Sequence, residues 1–188
     1  LLFKIAGSWG NHEGSMLLLT TIIAGYSLFF ALHDKSAQKH TVLALQNLII
    51  FGFTAFTAFA SNPFARLFPP ALTGLGLNPI LQDIGLAMHP PMLYTGYLGF
   101  SLVFSMALAA LIDEKVDAVF AKNMQFWLML SWGFLTLGIG LGSWWAYREL
   151  GWGGYWFWDA VENVSLLPWL CGLALIHCVK VLKSRNQF

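Results

Sequence analysis

Long apolar stretches, separated by shorter polar segments, dominate the pattern of hydrophobic and polar positions along the chain. Five stretches contain about 20 residues each, the length of helix that crosses a hydrocarbon core of about 30 Å. None carries the polar stripe that a helix of a water-soluble protein presents to solvent. The pattern therefore predicts an all-α, polytopic membrane helix bundle of about five transmembrane helices, with approximate bounds 15–32, 41–60, 92–112, 124–144 and 166–182.

Small residues recur inside these predicted spans. In membrane helices, glycine lets two backbones approach closely, and this approach is a main source of helix association in lipid. The fourth span is the richest in glycine, and we predict that its glycines are packing spacers: Gly133, Gly138, Gly140 and Gly142.

The composition agrees with a membrane protein and excludes some functions. Of 188 residues, 57% are hydrophobic and 10% are charged, whereas soluble domains have roughly 25% charged residues. The formal net charge of +1 leaves no excess of positive charge to bind nucleic acid, so the expected surroundings are membrane lipid. Because the chain begins at Leu1 and no cleavable leader precedes the first span, we interpret it as part of a longer protein.

The distribution of Lys and Arg predicts the orientation of the spans. Cytoplasmic or matrix loops collect these residues, and alternate loops divide the basic residues unevenly. Three lie on one side, at Lys4, Arg66 and Arg148, and seven on the other: Lys35, Lys39, Lys115, Lys122, Lys180, Lys183 and Arg185. Residues 1–14, 61–91 and 145–165 then share the outer face. We expect a bacterial inner membrane with periplasmic loops, or alternatively a mitochondrial inner membrane.

Six of the nine tryptophans lie within 26 residues of this outer region. For Trp144 and Trp169, at the ends of spans, an aromatic belt at the lipid headgroups and a ligand surface are equal alternatives. Glycines beside Trp152, Trp156 and Trp158 allow an open aromatic surface, which suits a planar ligand. A porphyrin, a quinone or an acyl chain would each satisfy that shape.

Residues 152–163, Trp-Gly-Gly-Tyr-Trp-Phe-Trp-Asp-Ala-Val-Glu-Asn, resemble the WWD signature of a superfamily of heme-handling membrane proteins. Along essentially its whole length the chain is similar to one branch, the CcmF/NrfE-type cytochrome c maturation heme lyases. The segments that carry this likeness are 10–15, 61–64, 77–83 and 89–94. We therefore predict a single, partial membrane domain over residues 1–188, with a WWD-type heme-handling loop at 144–169.

One position departs from the family pattern, because Ala160 stands where the family usually has Pro. Asp159 and Glu162 have the spacing of a helix capping box, and we expect a helix to start between them with either residue at 160. We therefore predict that Asp159 and Glu162 cap this helix, before any other function is considered for them.

The resemblance implies a function in cytochrome c biogenesis. A heme lyase of this type holds heme at the outer membrane face and promotes thioether bonds between heme and apocytochrome c. The implied partners are a CcmE-like heme chaperone, a CcmH-like protein that presents apocytochrome, and apocytochrome c itself. The alternative is a CcmC-like protein that binds and transfers heme without ligation, and a quinone-binding or structural subunit is a third hypothesis. No Cys-x-x-Cys-His sequence occurs, so the chain does not itself hold heme as a c-type cytochrome does.

Two histidines are the predicted iron ligands. His89 precedes two prolines, which predicts an extended backbone and an imidazole at the outer mouth of the third span. His177 lies roughly 17 Å into the membrane core, counted from Leu166, and an ionisable residue at that depth indicates function. A neutral His177 that bonds a neighbouring helix is the alternative. The resemblance implies that His89 binds the substrate heme and His177 a resident b-type heme, each completed by a ligand from a later region.

The remaining predicted heme contacts lie in the tryptophan segment. The resemblance implies a heme surface formed by Trp145, Trp152, Trp156, Trp158 and Asp159. Arg148 is a candidate partner for a heme propionate, and pairing with Glu149 or with a lipid phosphate is an equal alternative. No residue is predicted to act as a catalytic acid or base. Two cysteines seven residues apart in the last span are predicted to be small packing residues: Cys171 and Cys178.

Overall fold

Five long helices form the fold of the computed structural model, which describes residues 1–74, 76–151 and 160–185. A short helix α1 (Leu2–Ala6) and a 3-10 turn precede them. The long helices are α2 (His12–His33), α3 (Lys39–Ala60), α4 (Ile84–Ile112), α5 (Ala118–Trp145) and α6 (Ala160–Arg185). Each of the five is long and apolar enough to cross a membrane. The predicted all-α bundle of five spans is therefore confirmed.

Helix α4 is the centre of the bundle and packs against α2, α3, α5 and α6. Half of its most apolar window is buried, against 28% or less in the other four spans. Its 29 residues extend about 44 Å at 1.5 Å per residue, which exceeds a hydrocarbon core of about 30 Å. Helix α4 is therefore longer than the core is thick.

The interface between α4 and α5 brings two backbones into contact. A Cβ atom on Gly138 of α5 would lie 2.5 Å from the Cα atom of Leu93 and 2.6 Å from its nitrogen. From the other side, a Cβ on Gly96 of α4 would overlap the backbone of Leu135. Because backbone atoms cannot move aside without moving the helix, only glycine fits at these two positions. Such contacts give the dense packing that holds membrane helices together.

Buried polar side chains join helices elsewhere in the core. The Tyr26 hydroxyl of α2 donates to the Thr95 carbonyl of α4 at 2.8 Å. In α3, the Gln46 amide donates to Ser101 and accepts from Ser105, both at 2.9 Å. Lipid offers no replacement hydrogen bonds, so each buried polar group that finds a partner specifies how the helices align.

The predicted extended backbone at His89 is wrong. Because α4 begins at Ile84, His89 and the two prolines after it lie inside the helix. Asp83 fixes the start of that helix, since its Oδ1 atom accepts from the backbone N–H of Gly85 at 2.7 Å. The prolines remove two helical hydrogen bonds and disfavour helix at the preceding residue. The cap, together with the packing of His89 on α5 described below, overrides this local preference.

The predicted outer segments lie together at one end of the bundle. His12, the first residue of α2, bonds through Nδ1 to the hydroxyl of Ser61 at 2.9 Å, just after α3 ends. The indole N–H of Trp145, at the end of α5, donates to the Ile80 carbonyl at 3.4 Å in the loop before α4. This arrangement agrees with the shared face that the basic residues predicted, and it gives His12 a structural role.

Two glycines on α5 provide a matched test of the close contact. We expect Gly138→Ala to destabilise the protein by about 1–3 kcal/mol, because the new methyl group overlaps the backbone of α4. The control is Gly140→Ala, two residues away, where a Cβ meets nothing within 4 Å. It should be neutral or stabilising by up to about 1 kcal/mol, through helix propensity. Thermal unfolding of the two variants in detergent measures the difference, and equal midpoints would contradict the contact.

Candidate functional site

His89 lies against α5 in a defined orientation. Its Nδ1 atom is 2.7 Å from the carbonyl oxygen of Gly138, and its ring covers Gly142, where a Cβ would lie 2.5 Å from the ring. Because a carbonyl oxygen only accepts, Nδ1 carries the hydrogen and donates it. The neutral imidazole then has its lone pair on Nε2. Histidines that bind metals are typically held in this way, with the second ring N–H bonded to a carbonyl or carboxylate.

The two glycines beneath His89 have different functions. Gly138 lies where α4 and α5 touch, and its carbonyl also accepts the imidazole hydrogen. Gly142, one turn further along α5, provides the space in which the ring lies. The prediction that the α5 glycines are spacers thus holds for these two positions, whereas Gly133 and Gly140 face open space.

Three side chains form a cluster beside the turns that carry His89. The Nη2 atom of Arg148 lies 3.6 Å from Oδ2 of Asp83, and the Arg148 guanidinium carbon lies 4.7 Å from the ring centroid of Trp144. The ring of Trp144 in turn packs on Gly85, where a Cβ would lie 3.0 Å from it. We call Asp83, Trp144 and Arg148 the outer cluster. It joins the first turn of α4 to the end of α5.

The ion pair with Asp83 was not among the predicted contacts of Arg148. The predicted alternative partner Glu149 also lies within reach, but at 4.0 Å from the same Nη2 atom. Asp83 is nearer and its side chain is only 9% exposed, so the charge of Arg148 neutralises a carboxylate that solvent barely reaches. A sequence signal was available for Asp83 as a helix cap, because an Asp directly before an apolar helical stretch is a common N-cap, but not for its ion pair with Arg148.

Helix α5 ends in a π-helical turn over Ala146–Leu150. Such turns are rare, and they occur often at functional sites. Gly151 follows with φ +64°, a left-handed conformation that favours glycine. The turn therefore ends immediately before the predicted WWD signature.

Most of the predicted aromatic surface lies outside the described residues. This applies to Trp152, Trp156, Trp158 and Asp159. Helix α6 begins at Ala160, as the capping-box spacing of Asp159 predicted. Trp145 is described, and it is half-buried against the loop before α4.

His177 is exposed in the C-terminal half of α6. The opposite face of this helix is buried in the bundle, with Val179 at 3% and Leu182 at 1% exposure. Within the described part of the chain, His177 has no hydrogen-bond, ion-pair or ring partner. The hydrogen-bonded alternative therefore finds no partner there. The structure shows no contact between the two histidines: His89 packs on Gly138 and Gly142 of α5, whereas His177 is exposed on α6.

The remaining predicted residues of α6 differ from expectation. Cys171 and Cys178 are free and exposed rather than packed in the described bundle. Trp169 stacks on Trp132 of α5, with ring centroids 5.3 Å apart, and its indole N–H donates to Thr136 at 2.8 Å. Trp169 therefore joins α5 to α6, a packing role that neither sequence alternative included.

Comparison with known proteins finds a matching family along almost the whole chain. The family model described as "Cytochrome C assembly protein" matches residues 9–187. Among curated proteins, the chain is 53% identical to the cytochrome c-type biogenesis protein CycK of Bradyrhizobium diazoefficiens, over 99% of this chain and 29% of that protein. It is 50% identical to NrfE of Haemophilus influenzae, over 99% of this chain and 30% of NrfE.

A third relative and a solved structure give the same result. CcmF of Escherichia coli is 46% identical over 99% of this chain and 29% of its own length. The solved structure named "Cytochrome c Heme Lyase CcmF" superposes with a TM-score of 0.85 and 32% identity, covering 100% of this chain and 30% of that one. The chain thus spans about three-tenths of the length of the proteins that it matches.

The hydrogen position on His89 is open to direct test. In a protein with ¹⁵N-labelled histidine, we expect the His89 resonances of a neutral ring with hydrogen on Nδ1 and none on Nε2. A His89→Gln difference spectrum assigns them. Gly142→Ala should shift these resonances, because the new methyl group displaces the ring, whereas Gly140→Ala should not. A neutral His89 with its hydrogen on Nε2 would contradict the bond to Gly138.

Proposed function

We propose that this chain, which belongs to the cytochrome C assembly protein family, forms the heme-holding part of a heme lyase in cytochrome c biogenesis. The observation that carries this proposal is the orientation of His89. Its Nδ1–H bonds the Gly138 carbonyl at 2.7 Å, which leaves Nε2 as a ligand atom. The names of the relatives favour this lyase branch over a CcmC-like transfer protein.

The substrate of the proposed reaction is heme at the outer face of a bacterial inner membrane. His89 would bind its iron through Nε2, and the WWD-type loop over 144–169 would bind its flat face. Within that loop the proposed contacts are Trp145, Trp152, Trp156, Trp158 and Asp159. A CcmE-like chaperone would deliver this heme, and a CcmH-like partner would present the apocytochrome.

Arg148 is suited to bind a propionate of the substrate heme. The Asp83 and Glu149 contacts both use its Nη2 atom. Its Nε and Nη1 groups have no partner within the described part of the chain, and the side chain is 44% exposed. The guanidinium is therefore fixed on one side and has free donors on the other, which favours a charge-assisted bond to a carboxylate.

The proposed reaction joins an apocytochrome thiol to a heme vinyl group. The sulfur bonds one vinyl carbon and the thiol hydrogen goes to the other, so nothing leaves and no net oxidation occurs. Such an addition needs the two groups to be held together, and orientation alone is worth several kcal/mol of a barrier. The described residues accordingly supply binding and orientation: an imidazole, a cation and an aromatic surface.

His177 would hold a resident b-type heme in the membrane. A histidine without a partner on the described bundle, within a helix long and apolar enough to cross a membrane, is a costly feature unless a ligand uses it. When bound there, heme supplies one-electron redox chemistry. We assign the second residue that would hold each heme to the part of the relatives that lies outside this chain, which makes residues 1–188 one partial membrane domain.

Absorbance of the purified full-length protein tests the resident heme. We expect Soret and α bands of a b-type heme, and we expect His177→Ala to abolish them because the residue that would hold the heme is lost. His40→Ala is the control, since His40 is exposed in the first turn of α3. Bands that persist in His177→Ala exclude this ligand, and absence of bands from the unmodified protein excludes a resident heme altogether.

Heme titration of the same full-length protein tests the outer site. We expect His89→Ala to weaken binding of added heme at least about tenfold. Loss of a residue that only orients a metal ligand typically costs about tenfold or more, and loss of the ligand itself should cost at least as much. The resident bands should remain, and His40→Ala should bind added heme as the unmodified protein does. Unchanged heme affinity in His89→Ala would show that His89 does not bind the heme, and the proposal would then lose its main support.

A further inference from the structure

Asp83 uses its two carboxylate oxygens for different partners. Oδ1 accepts from the backbone N–H groups of Gly85 and Leu86 at 2.7 and 3.3 Å, and so caps α4. Oδ2 pairs with Arg148 of the π-helical turn at 3.6 Å. One side chain thus holds the start of α4 and also holds the end of α5 next to it.

The outer cluster forms a closed set of contacts around this carboxylate. Arg148 pairs with Asp83 and lies over Trp144, and Trp144 packs on Gly85. Gly85 in turn donates its N–H to Asp83. Because every member contacts the next, a shift of the π-helical turn away from α4 has to break the ion pair or the stacking.

Along the sequence, the cluster adjoins both parts of the proposed heme site. His89 follows Asp83 by six residues on α4, and residue 152, the start of the WWD signature, follows Arg148 by four. The distance between the imidazole and the signature therefore depends on how the π-helical turn sits on α4. Glu149 cannot replace Asp83 in this function, since it belongs to the same turn as Arg148.

We propose that Asp83 is a positioning residue, whose ion pair with Arg148 places the start of the tryptophan segment relative to His89. The effect on heme binding rests on the proposed function, because the segment that the ion pair positions leads into the proposed heme-binding loop. The pair is partly exposed, so its own strength is modest. The effect of the ion pair on heme binding arises through geometry, since the residues of a binding site must lie within about 0.5 Å of the positions that suit the ligand.

The conservative variant Asp83→Asn separates the cap from the ion pair. Asparagine caps helices as well as aspartate does, so α4 should keep its start, while the charge that holds Arg148 is gone. A matched control exists in Asp117, which caps α5 through a 2.8 Å bond from Phe120 N–H and forms no ion pair in the described part of the chain. Asp117→Asn makes the same chemical change without an arginine.

Hydrogen exchange of the full-length protein measures the position of the turn without heme. Asp83→Asn should raise amide exchange in the peptide 146–151 and leave peptide 84–90 unchanged. Asp117→Asn should change neither. Equal exchange at 146–151 in Asp83→Asn and the unmodified protein would overturn the inference, as would an increase at 84–90, which indicates loss of the cap instead.

Heme titration then measures the consequence at the site. We expect Asp83→Asn and Arg148→Gln each to weaken binding at the outer site about three- to tenfold, with the double variant no weaker than the weaker single one. Additive losses would mean that the two residues act separately. If the unmodified protein binds no outer heme, the proposed function fails, whereas the exchange result still decides whether the ion pair holds the turn.

Discussion

The backbone contact between α4 and α5 is the constraint on which the described structure depends. In lipid, two apolar helices gain little by leaving one apolar surrounding for another, so association relies on close van der Waals packing and on hydrogen bonds. Gly96 and Gly138 provide that packing, because each faces backbone atoms of the opposite helix. Helix α4 also packs against α2, α3 and α6, so the α4–α5 pair fixes the helix on which the other spans pack.

The same contact also orients the candidate ligand. Gly138 touches α4 through its missing side chain and accepts from His89 through its carbonyl. Helix packing and imidazole orientation therefore depend on the same residue, and a protein in which α5 slid along α4 would lose both. At the outer end, the ion pair of Arg148 and the bond from Trp145 to Ile80 anchor α5 on the segment that precedes His89.

The sequence predicted those features that depend on single residues or regular patterns. Hydropathy gave the five spans, and capping-box spacing gave the start of α6, because both depend on local chemistry. The backbone at His89 was predicted wrongly, since the preference of a residue before proline is weaker than a helix cap and packing on α5. The partner of Arg148 was missed because Asp83 lies 65 residues away, and only the fold brings them together.

The π-helical turn at Ala146–Leu150 has a consequence for how this region tolerates change in length. Successive residues of a helix are rotated by about 100°, so one residue more or less rotates everything beyond it by that angle. Removing a residue of this turn that precedes Arg148 would rotate its guanidinium away from α4, although the arginine itself is unchanged. The position of Arg148 on α4 therefore depends on the number of residues at the outer end of α5. We expect an insertion or deletion there to disturb this contact more than many substitutions do.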